Sequence, residues 1–154
     1  MKIESLLAKL REDFPDINFI ESDRACWSPK DNVVYYDNNA NNLIHELEYA
    51  LLGHQFFLLD IELIRIERDA WDQAKSIAKK YNLEIDDVTI EKALDDYRDW
   101  IHKRSLCPKC YQTGVQAIKD LDYYCINCNS RWKANDARSC GLKRKLIKKQ
   151  KTAL

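Results

Sequence analysis

The 154-residue sequence predicts an α+β protein: a small N-terminal sheet packed on helices, then a further helix and a cysteine-rich ribbon. Three observations predict it. Short β-prone segments punctuated by Pro, Asp and Asn fill residues 18–36. Three segments between residues 41 and 103 carry apolar residues at helical spacing. Two Cys-x-x-Cys pairs follow residue 105. At 45% hydrophobic and 32% charged residues, the chain suits one compact domain, or one domain plus a small module. The expected boundaries are 1–104 for the body, 105–135 for the ribbon and 136–154 for a basic C-terminal tail. Three Gly and three Pro argue against collagen-like or linker-rich chains.

Residues 2–13 read as an amphipathic helix with Ile3, Leu6, Leu7 and Leu10 on one face, stopped by Pro15. Strands are expected at Asn18–Glu21, Ala25–Ser28 and Val33–Tyr36, with Pro29, Asp31 and Asn32 forming a hairpin turn between the last two. The Asn-rich run from Asp37 to Asn42 is a helix-start signal, and the helix it starts runs to Leu52, where Gly53 is a natural stop. A long helix spans Asp60–Tyr81, with Leu63, Ile64, Ala70, Trp71, Ala74, Ile77, Ala78 and Tyr81 as its core-facing stripe. The next, from Asp86 to about Lys103, buries Ile90, Leu94, Tyr97 and Ile101.

Cys107-Pro-Lys-Cys110 and Cys125-Ile-Asn-Cys128 stand 14 residues apart. Two knuckles at this distance, joined by a hairpin, read as a zinc ribbon with a closed tetrahedral site. Such a shell leaves no position for water, so the expected zinc is structural, supplying stability that about 30 residues of core cannot. Iron is the main competitor, and a redox dithiol the non-metal alternative. Cys26 and Cys140 remain outside the pairs.

Charge is divided unevenly. Residues 1–104 hold 14 basic and 22 acidic side chains, whereas residues 105–154 hold 11 and 3. The resulting +8 of the C-terminal part points to an anionic partner, and nucleic acid is the first expectation. Its candidate contacts are Arg131 and Lys133 in the ribbon and Lys143, Arg144, Lys145, Lys148 and Lys149 beyond it. Tyr123, Tyr124 and Trp132 lie among them, either stacking bases or packing the ribbon. A solubilising basic end is the plainer alternative. No apolar run reaches the ~18 residues of a membrane span, so no membrane partner is expected. The N-terminal MKIESLLAKLRED sets charges within its only apolar stretch and is not read as a signal peptide, which makes a cytoplasmic location the expectation.

The segment from His45 to His54 reads HELEYALLGH. A zinc-peptidase helix carries His-Glu-x-x-His, two ligands one turn apart with a general base beside the first. His45 and Glu46 match, but Tyr49 stands in the second ligand position. On the next helix Glu67 sits within the apolar stripe, where a carboxylate is costly unless paired or metal-bound. An ion pair with Arg, or a stripe edge that reaches water, would also satisfy it.

With these residues, the stretch from about Asn32 to Ala78 resembles the ImmA/IrrE-type zinc metallopeptidases, whose helix is similar to HELGHALLGH and is followed by a Glu-x-x-Ala-x-x-x-Ala helix. Here the second pattern is Glu67-x-x-Ala70-x-x-x-Ala74. The resemblance implies a zincin-like body and a second zinc held by His45 and Glu67, with Glu46 as base and a regulatory protein as substrate. Tyr49 and Glu48 depart from the pattern where the family has His and Gly. A phenol binds zinc only by losing a proton with a pKa near 10, which zinc can lower, so Tyr49 is a weak candidate ligand of the second site. His54 points to the opposite face of a continuous helix and substitutes only if the chain breaks at Gly53. The expectation is a weakened or lost catalytic site. The SprT-like proteases, which join a His-Glu helix to a zinc ribbon, are a weaker resemblance. A non-enzymatic module that binds nucleic acid or protein is the alternative function.

Overall fold

The computed structural model describes residues 2–53, 57–137 and 140–148. Its architecture is α+β, with four helices and two small sheets among these residues. None of the helices is long and apolar enough to cross a membrane.

The elements run α1 (Ile3–Asp13), β1 (Asn18–Glu21), β2 (Cys26–Ser28), β3 (Val33–Tyr36), α2 (Ala40–Leu52), α3 (Asp60–Lys80) and α4 (Asp87–Ser105). The short strands β4 (Val115–Gln116), β5 (Tyr123–Tyr124), β6 (Arg131–Ala134) and β7 (Arg144–Leu146) follow. The first sheet has the order β1-β3-β2. The β2–β3 hairpin is antiparallel, turning through Asn32 in the left-handed region (φ 54°). β1 joins the other side of β3 in parallel.

Local chemistry sets the helix ends. Asn39 caps α2, its side-chain oxygen accepting from the backbone N–H groups of Asn41 and Asn42 at 2.9 and 3.2 Å. Gly53, at φ 76°, terminates it. Asn82, at φ 55°, follows the end of α3, and Asp86 accepts from the Thr89 N–H at the start of α4.

The chain forms two compact units, one of residues 1–56 and 66–92, the other of 57–65 and 93–154. The divide thus falls inside α3 and α4. In the first unit, Leu6, Leu7 and Leu10 of α1, Phe19, Val33 and Val34 of the sheet, and Leu43, Ile44 and Leu47 of α2 are buried. Ile66, Ala70, Trp71, Ala74 and Ala78 of α3 are buried as well. The stripe on α3 therefore includes Ile66, which the spacing argument passes over, while Ile64 and Ile77 are half-buried. On α4, Tyr97 and Ile101 are half-buried and Trp100 is buried instead. In the second unit the four ribbon strands form one sheet, β4-β5-β6-β7. Residues 144–146, assigned above to a basic tail, are its edge strand: β7 pairs antiparallel with β6 through Trp132–Leu146, Lys133–Lys145 and Ala134–Arg144.

Candidate metal centre and the buried His45 cluster

Both cysteine pairs sit on loops of the same construction. The Tyr111 N–H donates to the Cys107 carbonyl and the Asn129 N–H to the Cys125 carbonyl, each at 2.9 Å. Tyr111 and Asn129 both take left-handed backbone, at φ 61° and 59°. The N–H of each leading cysteine then donates to Gln112 or Ser130 at 2.8 Å, closing the loop. This repeated turn brings all four Sγ atoms within 4.8 Å of one another, a group that could hold a metal ion. The Cys107–Cys128 and Cys110–Cys125 sulfurs are 3.6 and 3.4 Å apart. A tetrahedron with Zn–S bonds of about 2.3 Å has edges of roughly 3.8 Å, so the quartet nearly matches that size. Hydrogen bonding with the Ser130 side chain, helped by its backbone, pulls the Cys128 thiol down to about 6, favouring the thiolate a metal needs.

The quartet rests on a buried aromatic floor. Tyr123 and Trp132 stack at 5.7 Å and are, with Cys107 and Cys125, the buried core of the ribbon. Of the three aromatics considered for base stacking, these two pack the ribbon and only Tyr124 is exposed. A Cβ at Gly114 would meet the Trp132 ring and lie 2.7 Å from the Tyr124 carbonyl, so only glycine fits there. The Trp132 indole N–H donates to the Arg104 carbonyl at 2.9 Å. Beneath lies a network that sequence reading missed. Arg104 Nε and the Tyr123 hydroxyl both donate to Asp60 Oδ2, at 2.6 and 2.5 Å. The Asp60 N–H donates to Gln116 at 2.8 Å, and the Arg104 guanidinium lies over the Trp100 ring.

The predicted cationic contacts divide by sheet face. Arg131, Lys133 and Lys145 lie on the exposed face, Arg131 paired with Asp120 at 2.8 Å and Lys133 reaching Asp122 at 3.8 Å. Lys143 and Lys148 are exposed. Arg144 is different: it is half-buried and donates to the Leu106 carbonyl, so its charge serves the ribbon. Lys149 and His54 lie outside the described residues.

In the first unit, α2 and α3 bring His45, Tyr49 and Glu67 together. His45 Nε2 lies 3.3 Å from Glu67 Oε2, and the Tyr49 hydroxyl donates to Glu67 Oε1 at 2.5 Å. The His45 ring meets Tyr49 edge-on and stacks on Trp71 at 4.0 Å, nearly parallel. His45 and Glu67 are buried, at 6% and 5% exposure. The 3.3 Å separation alone would suit two ligands of one zinc. Two other features do not suit it. As a donor Tyr49 keeps its proton, whereas a phenol ligand must lose it. His45 Nδ1 is buried with no hydrogen-bond partner among the described residues, whereas a metal-binding histidine normally has its second nitrogen held. Glu46 lies on another side of α2, accepting the Trp27 N–H of β2 at 2.8 Å. Burial raises its pKa, although His45 and that N–H oppose the shift.

Glu48 is a further residue whose burial the sequence reading undervalued. It is 1% exposed and its Oε1 has no partner among the described residues. The signal was present, since Glu48 is four residues after Ile44 and so on the core stripe of α2. Burial, with the Glu67 charge adding to it against the pull of His45, pushes its pKa from 4.5 up to about 7. The folded state therefore prefers the protonated acid. Stability should fall as pH rises from 4.5 through 7, by on the order of 3 kcal/mol. Glu48→Gln should remove this slope: equal stability near pH 4.5, and a gain of about 2–3 kcal/mol at pH 8, read by urea denaturation. Parallel pH profiles for the two proteins would refute the assignment.

Compared with family models, with curated proteins and with solved structures, the chain matches none, so its functional reading rests on its own residues.

Proposed function

We propose that this chain is a non-catalytic zinc-ribbon protein that binds nucleic acid, carried on a body resembling an inactivated ImmA/IrrE-type peptidase. The observation that carries the loss of catalysis is the Tyr49 hydroxyl on Glu67. Where the family has a second imidazole ligand, this chain has a hydrogen-bond donor that occupies the carboxylate meant for the metal. The trio His45, Tyr49 and Glu67 is then a polar core element that ties α2 to α3. Cys107, Cys110, Cys125 and Cys128 hold the one zinc, which folds the ribbon and takes no part in chemistry. Support for the nucleic-acid partner comes from the charge of the C-terminal part and from the basic residues on the exposed sheet face.

Metal analysis and a peptidase assay test the reading together. One zinc per chain is expected, lost in Cys110→Ser, with no peptide cleavage above that of Glu46→Gln. Two zinc ions per chain, with cleavage that Glu46→Gln abolishes, would overturn it in favour of a living protease. Iron in place of zinc would correct the metal alone.

A further inference from the structure

Register assigns each ribbon side chain to a face, because residues directly opposite in a ladder point the same way and residues two apart share a side. Val115 is opposite Tyr124, Tyr124 opposite Arg131, and Lys133 opposite Lys145. The Ile147 N–H donates to the Arg131 carbonyl at 2.8 Å, continuing the same ladder. One face of the sheet therefore presents Val115, Tyr124, Arg131, Lys133, Lys145 and Ile147. All six are exposed, and the opposite face carries the buried Tyr123 and Trp132. The exposed face is an aromatic ring and two aliphatic side chains set among three cations.

Two features of this face are unfavourable in isolation. Lys133 and Lys145 are directly opposed, a like-charge pair that costs stability in a sheet. Tyr124 is 39% exposed, which leaves part of its ring surface to water. A polyanion relieves the first, and a stacked base covers the second. Strand spacing of about 4.8 Å and a rise of about 3.3 Å per residue put Tyr124 next to Arg131 and about 12 Å from Lys145, so a ring and phosphate-binding cations lie across neighbouring strands. Asp120 and Asp122, on the loop before β5, face Arg131 and Lys133 and temper the charge on that side.

We infer that this face of β4–β7 is a docking surface for single-stranded nucleic acid, with a base stacked on Tyr124 and the backbone lying along Arg131, Lys133 and Lys145. The inference rests on the nucleic-acid reading above and narrows it. Duplex bases are stacked on each other and offer no free face to a ring on a flat sheet, whereas an unpaired strand does.

The test is fluorescence anisotropy of the metal-loaded full chain with a labelled 12-nucleotide thymidine strand and with a duplex of equal length, across a salt series. The single strand is expected to bind more tightly than the duplex. Tyr124→Ala should weaken it about tenfold with the salt slope unchanged, while Tyr124→Phe, which keeps the ring, binds like the parent. Lys133→Gln with Lys145→Gln should flatten the slope by about 0.7 per lost phosphate contact. Equal binding of strand and duplex, with Tyr124→Ala neutral, overturns this surface and leaves the broader reading standing. No binding of either at low salt overturns both.

Discussion

Cys110→Ser is expected to lose the metal and to unfold more than the cysteine loops. The quartet's sulfurs, the Tyr123–Trp132 stack and the Asp60–Arg104 pair form one continuous block within the second unit. Tyr123 and Trp132 are buried against Cys107 and Cys125, so a loop released by loss of metal releases them too. Trp132 then gives up the Arg104 carbonyl and Tyr123 gives up Asp60. The disturbance should reach the last turns of α4 and the first turn of α3, while the first unit keeps its core. Structural zinc sites contribute binding free energies of about 10–16 kcal/mol to folding, far more than a ribbon of this size can replace. Hydrogen exchange should show lost protection across 93–137 and 57–65, with protection retained in α1, β3 and α2. Loss confined to 105–135 would mean that the ribbon and its foundation are independent.

Asp60→Ala is expected to cost about 3–5 kcal/mol, the range for breaking one side of a buried charge pair. Asp60 and Arg104 are 5% and 7% exposed, and a single carboxylate oxygen serves both the guanidinium and the Tyr123 hydroxyl. The truncation leaves a buried cation and a buried phenol unpaired together. Asp60→Leu with Arg104→Met should recover most of the loss, because the remaining cost is the stranded charge and not the pair itself. Urea denaturation of metal-loaded protein, followed by tryptophan fluorescence, to which Trp100 and Trp132 contribute along with Trp27 and Trp71, measures both. A single substitution costing under 1 kcal/mol would show that water reaches Arg104.

Local chemistry made the fold readable and long-range chemistry did not. Every helix except the stripe details was legible from apolar spacing and from end signals such as Asn39 and Gly53, because those act within one or two turns. The ribbon was legible because thiolate spacing is diagnostic. β7 was not: Arg-Lys-Leu at a sheet edge buries little, and what fixes it, backbone pairing with β6 and the Arg144 bond to the Leu106 carbonyl, leaves no local pattern. The Asp60 network was invisible for a different reason. Its partners are 44 and 63 residues away, and nothing in the neighbourhood of either residue encodes the meeting. At the His45 cluster, the broken motif was plain in Tyr49, and Glu67 stood out as a carboxylate on an apolar stripe. Glu48 lies on the α2 stripe just as clearly, four residues after Ile44.

The interrupted composition of the second unit bears on how the protein is made. Residues 57–65 belong with 93–154, so they leave the ribosome long before their partners. The first unit has its full complement once residue 92 is synthesised. At about 5–20 residues per second, Asp60 then waits roughly 3–13 s for Tyr123. During that interval the acid end of α3 stands without its cation until Arg104 emerges. On the proposed zinc reading, metal capture by Cys128, the last of the four thiols to appear, ends the wait. A cell short of the metal would thus accumulate chains with a completed first half and a stranded helix start, a species for chaperones and proteases to sort.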